Sequence, residues 1–407
     1  MIRIARSTSL RPPAADSAGS RRRRGRPLAV ALAIGVAVSL VAPQAAQAGP
    51  IIVLNPIWQS AALETCAKQA LGVAADHVIT FGELGSLTSL TCTAAEVDGL
   101  SPLELATNLT SLDLRNNYIS DISAVSTLTK LTYLDLRNNL IDSLPNLTKL
   151  TQLDEVYFDN NLLVDVSRLS GLKSTVDTIS LTNNQVTSIS PLKSFASISR
   201  LWLDQNRITN IDGLDEVVGS SSIVDISGQH LDLKTTTLGV SVAVTKVTGP
   251  TGASVPVKVS TSSQFGDPAS KGKIVTKNGK KTVSWSTVGI GSLSWNTTFA
   301  FNGSHTAQYS GFAERFVLKK MKGSTPKITG TAKVGKTLKA KLGSWTKGAD
   351  LLVTWLRDGK EVKYGHSTSY TLKSADKGHR IRVSVTGYKG DYLEVTKKSS
   401  STAKVKK

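Results

Sequence analysis

Three sets of side chains in this 407-residue sequence have chemistry to offer. The first is the pair of thiols, Cys66 and Cys92, with no third cysteine left over as a nucleophile. The histidines, His77, His230, His305, His366 and His379, stand singly, and none has a second ligand at metal spacing. The second set is a row of carboxylates, Asp113, Asp135, Asp159 and Asp204. Clustered carboxylates can serve a hydrolase or hold calcium. A repeating frame sets side chains in rows whatever their purpose, however, so a solvated acidic face is the simpler reading. The third set is Tyr133, Arg137, Tyr157, Arg200 and Trp202, interleaved with Asp159 and Asp204. Aromatics and arginine are the side chains that most often dominate binding energy at an interface. No G-x-S-x-G turn and no phosphate-binding glycine loop occurs in the chain. The chemistry is that of recognition, and no enzyme activity, cofactor or metal is expected.

The element that positions these residues repeats. Leu109-Thr-Ser-Leu112-Asp-Leu114-Arg-Asn-Asn117-Tyr-Ile119 aligns with Leu131-Thr-Tyr-Leu134-Asp-Leu136-Arg-Asn-Asn139-Leu-Ile141 in the frame L-x-x-L-x-L-x-x-N-x-I. Further copies start at Leu153, Val176 and Ile198, with degenerate ones at Leu87 and Ser221, so the step is 22 or 23 residues. This is the period and pattern of leucine-rich repeats. In each copy the alternation of x-L-x-L-x sends two apolar side chains inward and the intervening ones out along a short strand. The Asn that follows turns the chain, and its amide can bond backbone groups that a tight coil leaves unpaired. A second apolar series, such as Ile122, Val125 and Leu128, closes the far side of each coil. One coil cannot bury these faces alone, so stability must come from stacking.

In that frame the residues at the third, fifth and seventh places face outward on one sheet. They are Tyr133, Asp135 and Arg137, then Glu155, Tyr157 and Asp159, then Thr178, Ser180 and Thr182, then Arg200, Trp202 and Asp204. The first strand offers only Ser89, Thr91 and Thr93. The ligand-binding residues expected on this face are Tyr133, Arg137, Tyr157, Asp159, Arg200, Trp202 and Asp204. Packing on neighbouring polar stems is the alternative reading of the aromatics.

Ahead of the repeats, Leu63, Cys66, Ala67, Ala70 and Leu71 fall at helical spacing, with Ser60 as N-cap and Gly72 as stop. Such a helix would cover the apolar end of the first coil. Cys66 then lies on its apolar face and Cys92 at an inward strand position, so a Cys66–Cys92 disulfide is expected, with two buried free thiols as the alternative. Further upstream, Arg21-Arg-Arg-Arg24-Gly-Arg26 precedes an apolar stretch from Leu28 to about Ala42, then Ala46-Gln-Ala48. These are the three regions of a secretory signal peptide over 1–48. A retained anchor is the alternative, though the stretch is short for a span.

The repeats resemble those of internalin-type proteins of Gram-positive bacteria. Ser120-Asp-Ile122-Ser-Ala-Val125, Ser188-Ile-Ser-Pro191-Leu192 and Asn210-Ile-Asp-Gly-Leu214 look like that family's convex turns. The resemblance implies a curved solenoid with a parallel sheet on its concave face, used for protein recognition. After Leu231 the period fails, and Val283-Ser-Trp285, Ser294-Trp295-Asn296 and Tyr309-Ser-Gly311-Phe312 look like the immunoglobulin-like domain that follows internalin repeats. Such a domain would complete the last sheet of the solenoid. From Pro326 onward, Gly335-Lys-Thr-Leu338, Val353-Thr-Trp355-Leu-Arg-Asp358-Gly359 and Ile381-Arg-Val383-Ser-Val385 resemble a small immunoglobulin-like module of secreted Gram-positive proteins. There Trp355 would be the core tryptophan and Asp358-Gly359 a hairpin turn.

The expected fold is therefore an α/β-type leucine-rich-repeat solenoid, mostly β with short 3-10 or irregular convex turns, followed by two β-sandwich immunoglobulin-like domains. Its units are the signal (1–48), a linker and helical cap (49–86), the solenoid (87–231), an adaptor (232–320), a linker (321–325) and a basic module (326–407). Charge divides unevenly among them. Residues 49–231 hold 10 Lys+Arg and 20 Asp+Glu, net −10, while 232–407 hold 31 and 9, net +22. Export makes nucleic acid a poor partner, so the basic half is expected to meet an anionic wall polymer or lipid headgroups, unless its lysines only solubilise exposed strands. The function expected is a secreted or cell-wall-associated monomer that binds a protein, or a glycan, on its concave face. A structural wall spacer is the alternative, and a secreted hydrolase with an acidic site the more distant one.

Overall fold

The computed structural model describes residues 37–39, 53–172, 176–195, 197–264, 266–301 and 305–407. The expected signal segment lies outside these apart from β1 (Ala37–Ser39), which pairs antiparallel with β2 (Val53–Asn55). The cap follows. Helix α1 (Ala61–Leu71) starts where Ser60 Oγ accepts from Leu63 N–H at 3.4 Å and stops at Gly72, which takes the left-handed φ of 68°. Its face of Leu63, Cys66 and Ala67 is buried. Cys66 and Cys92 are disulfide-bonded with their Cα atoms 5.5 Å apart, so the bridge ties the cap to the first coil. A second helix, α2 (Phe81–Ser86), opens on a capping box in which Thr80 and Glu83 satisfy each other's backbone N–H groups. Those bonds, with His77 alongside, hold the Glu83 carboxyl down at about 2.

Seven parallel strands then stack one per coil: β3 (Ser89–Thr91), β4 (Ser111–Asp113), β5 (Tyr133–Asp135), β6 (Glu155–Tyr157), β7 (Thr178–Ser180), β8 (Ile198–Trp202) and β9 (Val218–Asp232). Their register places Leu90, Leu112, Leu134, Val156, Ile179, Leu201 and Val224 side by side. Short 3-10 turns close the opposite side at Leu103–Leu105, Ser123–Thr127, Ser167–Leu172, Ser190–Ser194 and Leu214–Glu216. The repeat Asn side chains are buried in a ladder between coils. Asn161, for example, donates from Nδ2 to the carbonyls of Leu136 and Phe158, each at 3.0 Å, and accepts at Oδ1 from Ile141 N–H at 3.0 Å. Asn117, Asn139, Asn184 and Asn206 repeat this pattern, and Gln229 stands in for Asn in the last coil. The residue before each rung, Asn116, Asn138, Asn160, Asn183 or Gln205, takes positive φ, between 52° and 59°. Asn tolerates that conformation better than most residues.

Beyond the solenoid come β10 (Thr236–Thr237), β11 (Val242–Ala243), β12 (Lys258–Val259), β13 (Gly272–Lys277), β14 (Lys280–Trp285), β15 (Gly289–Phe301) and β16 (His305–Lys320). Strand β16 pairs in parallel with β9, and β15 and β12 follow it, so the solenoid sheet runs on into the adaptor without a break. A three-stranded sheet, β11-β14-β13, packs its Val283 and Trp285 into the same core. Tyr309 on β16 sends its hydroxyl to the Ile208 carbonyl at 3.0 Å. The expected boundary after Leu231 falls inside β9, and one hydrophobic core runs from Leu63 to Val317.

The last unit has its own core around Trp355, Leu338, Tyr370 and Val383. One sheet contains β17 (Lys327–Thr329), β18 (Thr337–Lys341) and β21 (Ser369–Thr371). The other contains β20 (Lys360–Lys363), β19 (Asp350–Arg357), β22 (Ile381–Tyr388) and β24 (Val395–Lys398). The β19–β20 turn is Asp358-Gly359, both at positive φ, as a two-residue hairpin of the primed type requires. Trp355 stacks on Tyr370 with ring centroids 5.7 Å apart. A short strand, β23 (Tyr392–Leu393), pairs with the end of β16. No helix among the described residues is long and apolar enough to cross a membrane.

Candidate functional site

The sheet formed by β4 to β8 carries an open groove of about 460 Å³, lined among others by Arg115, Arg137, Tyr157, Asp159, Ser180 and Trp202. Register explains its shape. Tyr157, Ser180 and Trp202 stand opposite one another on three consecutive strands, an aromatic, a small residue and an aromatic. Strands are spaced by roughly 4.8 Å, so the backbones beneath the two rings are about 10 Å apart. Ser180 and Thr182 make the floor between them. The width suits one extended chain or one flat ring laid between two aromatic walls.

The N-terminal wall is built by cross-strand contacts. Tyr133 and Tyr157 meet with ring centroids 5.7 Å apart, and the Arg137 guanidinium lies over the Tyr157 ring at 5.0 Å. Arg137 also grips Asp135 at 2.5 Å, and Arg115 grips Asp113 at 2.8 Å while reaching Asp135 at 3.4 Å. Tyr133 donates its hydroxyl to Asp135 at 3.1 Å and Tyr157 to Glu155 at 2.6 Å. Burial, with the Asp135 carboxylate beside it, pushes the Tyr133 phenol up to about 12. Burial and the Glu155 hydrogen bond raise Tyr157 as well. Both phenols are therefore neutral donors at neutral pH, already engaged and held in place.

The expectation that the third, fifth and seventh places all open to solvent needs correction. Asp135 is fully buried and Asp159 is 8% exposed. Arg137 folds back over the first, while Ser180 Oγ and Thr182 N–H both donate to the second. Thr178 and Ser180 are buried as well. A short side chain between longer neighbours on adjacent strands is covered by them, so outward direction does not amount to exposure. Asp159 therefore supports the groove floor. Arg200 is exposed, 3.8 Å from Asp177, and it and Asp204 lie outside the groove lining. Thr182 donates to Asp204 at 2.6 Å, and burial beside Asp225 raises the Asp204 carboxyl. The carboxylates of the row are engaged by arginines or by hydroxyl and backbone donors, and no group of three or more metal-ligating side chains converges among the described residues.

Three lining residues escape the strand frame altogether: Asn116, Asn138 and Asn160. They are the left-handed residues before each ladder Asn, and they form an exposed second row. Asn138 donates to Asn116 at 2.8 Å and Asn183 to Asn160 at 2.7 Å. The doubled Asn in the copies starting at Leu109, Leu131, Leu153 and Val176 is the signal that could have found them.

A leucine-rich-repeat family model matches twice, at residues 107–149 and 174–216. The repeats are leucine-rich repeats. No curated protein sequence matches the chain. Among solved structures, the chain is similar to an internalin of Listeria monocytogenes str. 4b F2365, 26% identical over 40% of this chain and 54% of that one, with a TM-score of 0.34. It is also similar to internalin C2 of the same strain, 26% identical over 42% of this chain and 83% of that one, TM-score 0.33. A leucine-rich-repeat protein of Leptospira interrogans is 20% identical over 36% of this chain and 40% of that one, TM-score 0.31. The chain spans about half the length of the first of these structures.

Proposed function

We propose that this chain is an exported recognition protein that binds a protein partner on its concave sheet and catalyses no reaction. Tyr133, Arg137, Tyr157, Arg200, Trp202 and Asp204 are the ligand-binding residues, with Asp159 holding the floor beneath them. The observation that carries the reading is the slot between Tyr157 and Trp202 over Ser180. Its N-terminal wall is immobilised by Glu155, Arg137 and Tyr133 before any ligand arrives. A preformed aromatic site loses little side-chain entropy on binding. The resemblance of the repeats to those of internalin-type proteins points to the same role.

The discriminating experiment replaces Trp202 and Tyr157 by Ala, singly, after capture of a partner from wall fractions and secreted proteins by the purified chain. An anchor residue contributes about 2 kcal/mol or more, about thirtyfold in affinity. Lost capture with an unchanged melting temperature supports the reading. Lost stability with intact capture refutes it, because the aromatics would then be packing residues.

A second reading concerns the basic half. The net charge of +22 over residues 232–407 supports an electrostatic hold on anionic wall polymer or lipid headgroups, with the two C-terminal β units as immunoglobulin-like spacers. The acidic solenoid should take no part in that contact.

A further inference from the structure

The last unit carries 19 Lys+Arg against 6 Asp+Glu over residues 326–407. Its acids are unevenly placed. Asp376 is fully buried, bonded to Arg357 and Tyr370. Asp350 pairs with His366, Asp358 with His379 and Asp391 with Lys319. Glu361 lies on β20, and Glu394 sits between β23 and β24. None belongs to the sheet β17-β18-β21. The outward face of that sheet is built from Lys327, Thr329, Thr337, Lys339, Lys341 and Thr371, all exposed.

Within that face Lys327 stands directly opposite Lys341, and Lys339 lies on the same face two residues from Lys341. Like charges directly opposite on neighbouring strands destabilise the pair. No ion pair relieves any of the three among the described residues. Edge protection accounts for a lysine on an edge strand, where an ammonium discourages pairing with another chain. It accounts for Lys327 on β17. It does not account for Lys339 on β18, which is paired on both sides, with Thr329 on β17 and Ser369 on β21; Lys341 lies two residues on, past the end of the β21 pairing. A repulsive cluster on a central strand, flanked by hydroxyls (Thr337 and Thr371 are bonded at 2.9 Å), needs another cause.

We infer that this face is the site at which the chain holds a linear polymer of anionic phosphate groups in water. The inference rests on the reading of the basic half given above and narrows it to one sheet and one partner class. Lys339 and Lys341 leave β18 two residues apart, about 6.6 Å along the strand, on an exposed face shared with Lys327 and threonines. The face offers nothing to a bilayer interior. The large apolar side chains exposed in this unit are Tyr364 and Leu393, and neither lies on this sheet. Threonine hydroxyls beside the ammonium groups supply neutral donors to phosphate oxygens.

The test uses the full chain, long-chain inorganic polyphosphate as probe, and two double variants of equal charge change. Lys339→Glu with Lys341→Glu reverses the proposed face. Lys360→Glu with Lys398→Glu reverses exposed lysines on the two edge strands of the other sheet. The first pair should weaken binding by about tenfold or more and flatten its salt dependence, the second by under about threefold. The first variant should melt no lower than the parent, because Lys327 would then face a carboxylate in place of the Lys341 ammonium. Equal losses in the two variants overturn the assignment to this face and leave the general reading intact. No binding of polyphosphate by the parent chain, together with none to phosphatidylglycerol vesicles, overturns both. Binding to the vesicles alone overturns the choice of a polymer.

Discussion

Replacing Asn161 by Ala tests what holds the coils together. Asn161 Nδ2 donates to the carbonyls of Leu136 and Phe158, and its Oδ1 accepts from Ile141 N–H. Truncation does not strand the carbonyls. Leu136 O also accepts from Asn139, and Phe158 O from Asn184, each through the adjacent rung. The Ile141 N–H loses the bond it makes to Asn161 and is left unsatisfied in a buried position. An orphaned buried donor costs about 1–3 kcal/mol, and the bonds forfeited by the carbonyls add about 0.5–1.5 kcal/mol each. The expected loss is about 3 kcal/mol, or roughly 6–12 °C in melting temperature for a unit of this size. The matched control is Asn160→Gly, one residue earlier. Asn160 is exposed at a φ of 55°, and its side chain accepts one bond, from Asn183. Glycine suits that backbone, so the control should stay within about 0.5 kcal/mol of the parent. Urea melts of both variants measure the difference. A loss below about 1 kcal/mol for Asn161→Ala, or equal losses for the two, would refute the claim that the buried ladder carries the stability.

Two more perturbations address the ends of the solenoid. Gly311 faces Gln229 across β16 and β9, and an added Cβ would collide with the Gln229 carbonyl and come within 2.5 Å of the Trp295 ring. Gly311→Ala should therefore destabilise by about 1–3 kcal/mol or more and shift tryptophan emission to the red, whereas a variant with parental melting and emission would show that β16 does not close the solenoid. At the other end, the bridge of sequence separation 26 is worth about 3.5 kcal/mol by the chain-entropy estimate. Cys66→Ala with Cys92→Ala should lose most of that in a urea melt, and an unchanged midpoint would mean that cap packing alone secures the first coil.

What the sequence disclosed follows from which interactions recur with a period. The coils, the Asn rungs, the α1 cap with its Ser60 start and Gly72 stop, the bridge and the Asp358-Gly359 hairpin were all readable, because each depends on residues close in sequence or fixed in the frame. Asp135 was misplaced as solvent-facing because exposure depends on what neighbours do. Arg137, two residues on, doubles back over it. Helix α2 escaped notice although Thr80-Phe-Gly-Glu83 spells a capping box, since six residues give too short an apolar pattern to register. That the unit after the repeats would complete the last sheet was expected from the resemblance, and β16 does pair with β9; which strand, some eighty residues later, would do so was not readable. Long-range parallel pairing leaves no local trace in a sequence.

The two proposed surfaces differ in how they treat charge, and that difference assigns them different work. On the solenoid sheet Arg115 and Arg137 are already matched to Asp113 and Asp135, so a partner bound there would meet aromatic surface and oriented donors. Such a site discriminates by shape. On the β17-β18-β21 face Lys341 is left opposite Lys327, so the proposed site would draw in dense polyanions and discriminate little among them. The solenoid and adaptor share one core, whereas the basic unit has its own and joins the adaptor at β16 and β23. A chain built this way can be held to a polymer through one end while the slot between Tyr157 and Trp202 stays open to a partner. Retention then keeps the slot at high local concentration, and even a modest affinity there is enough to hold a partner that is itself tied to the same surface.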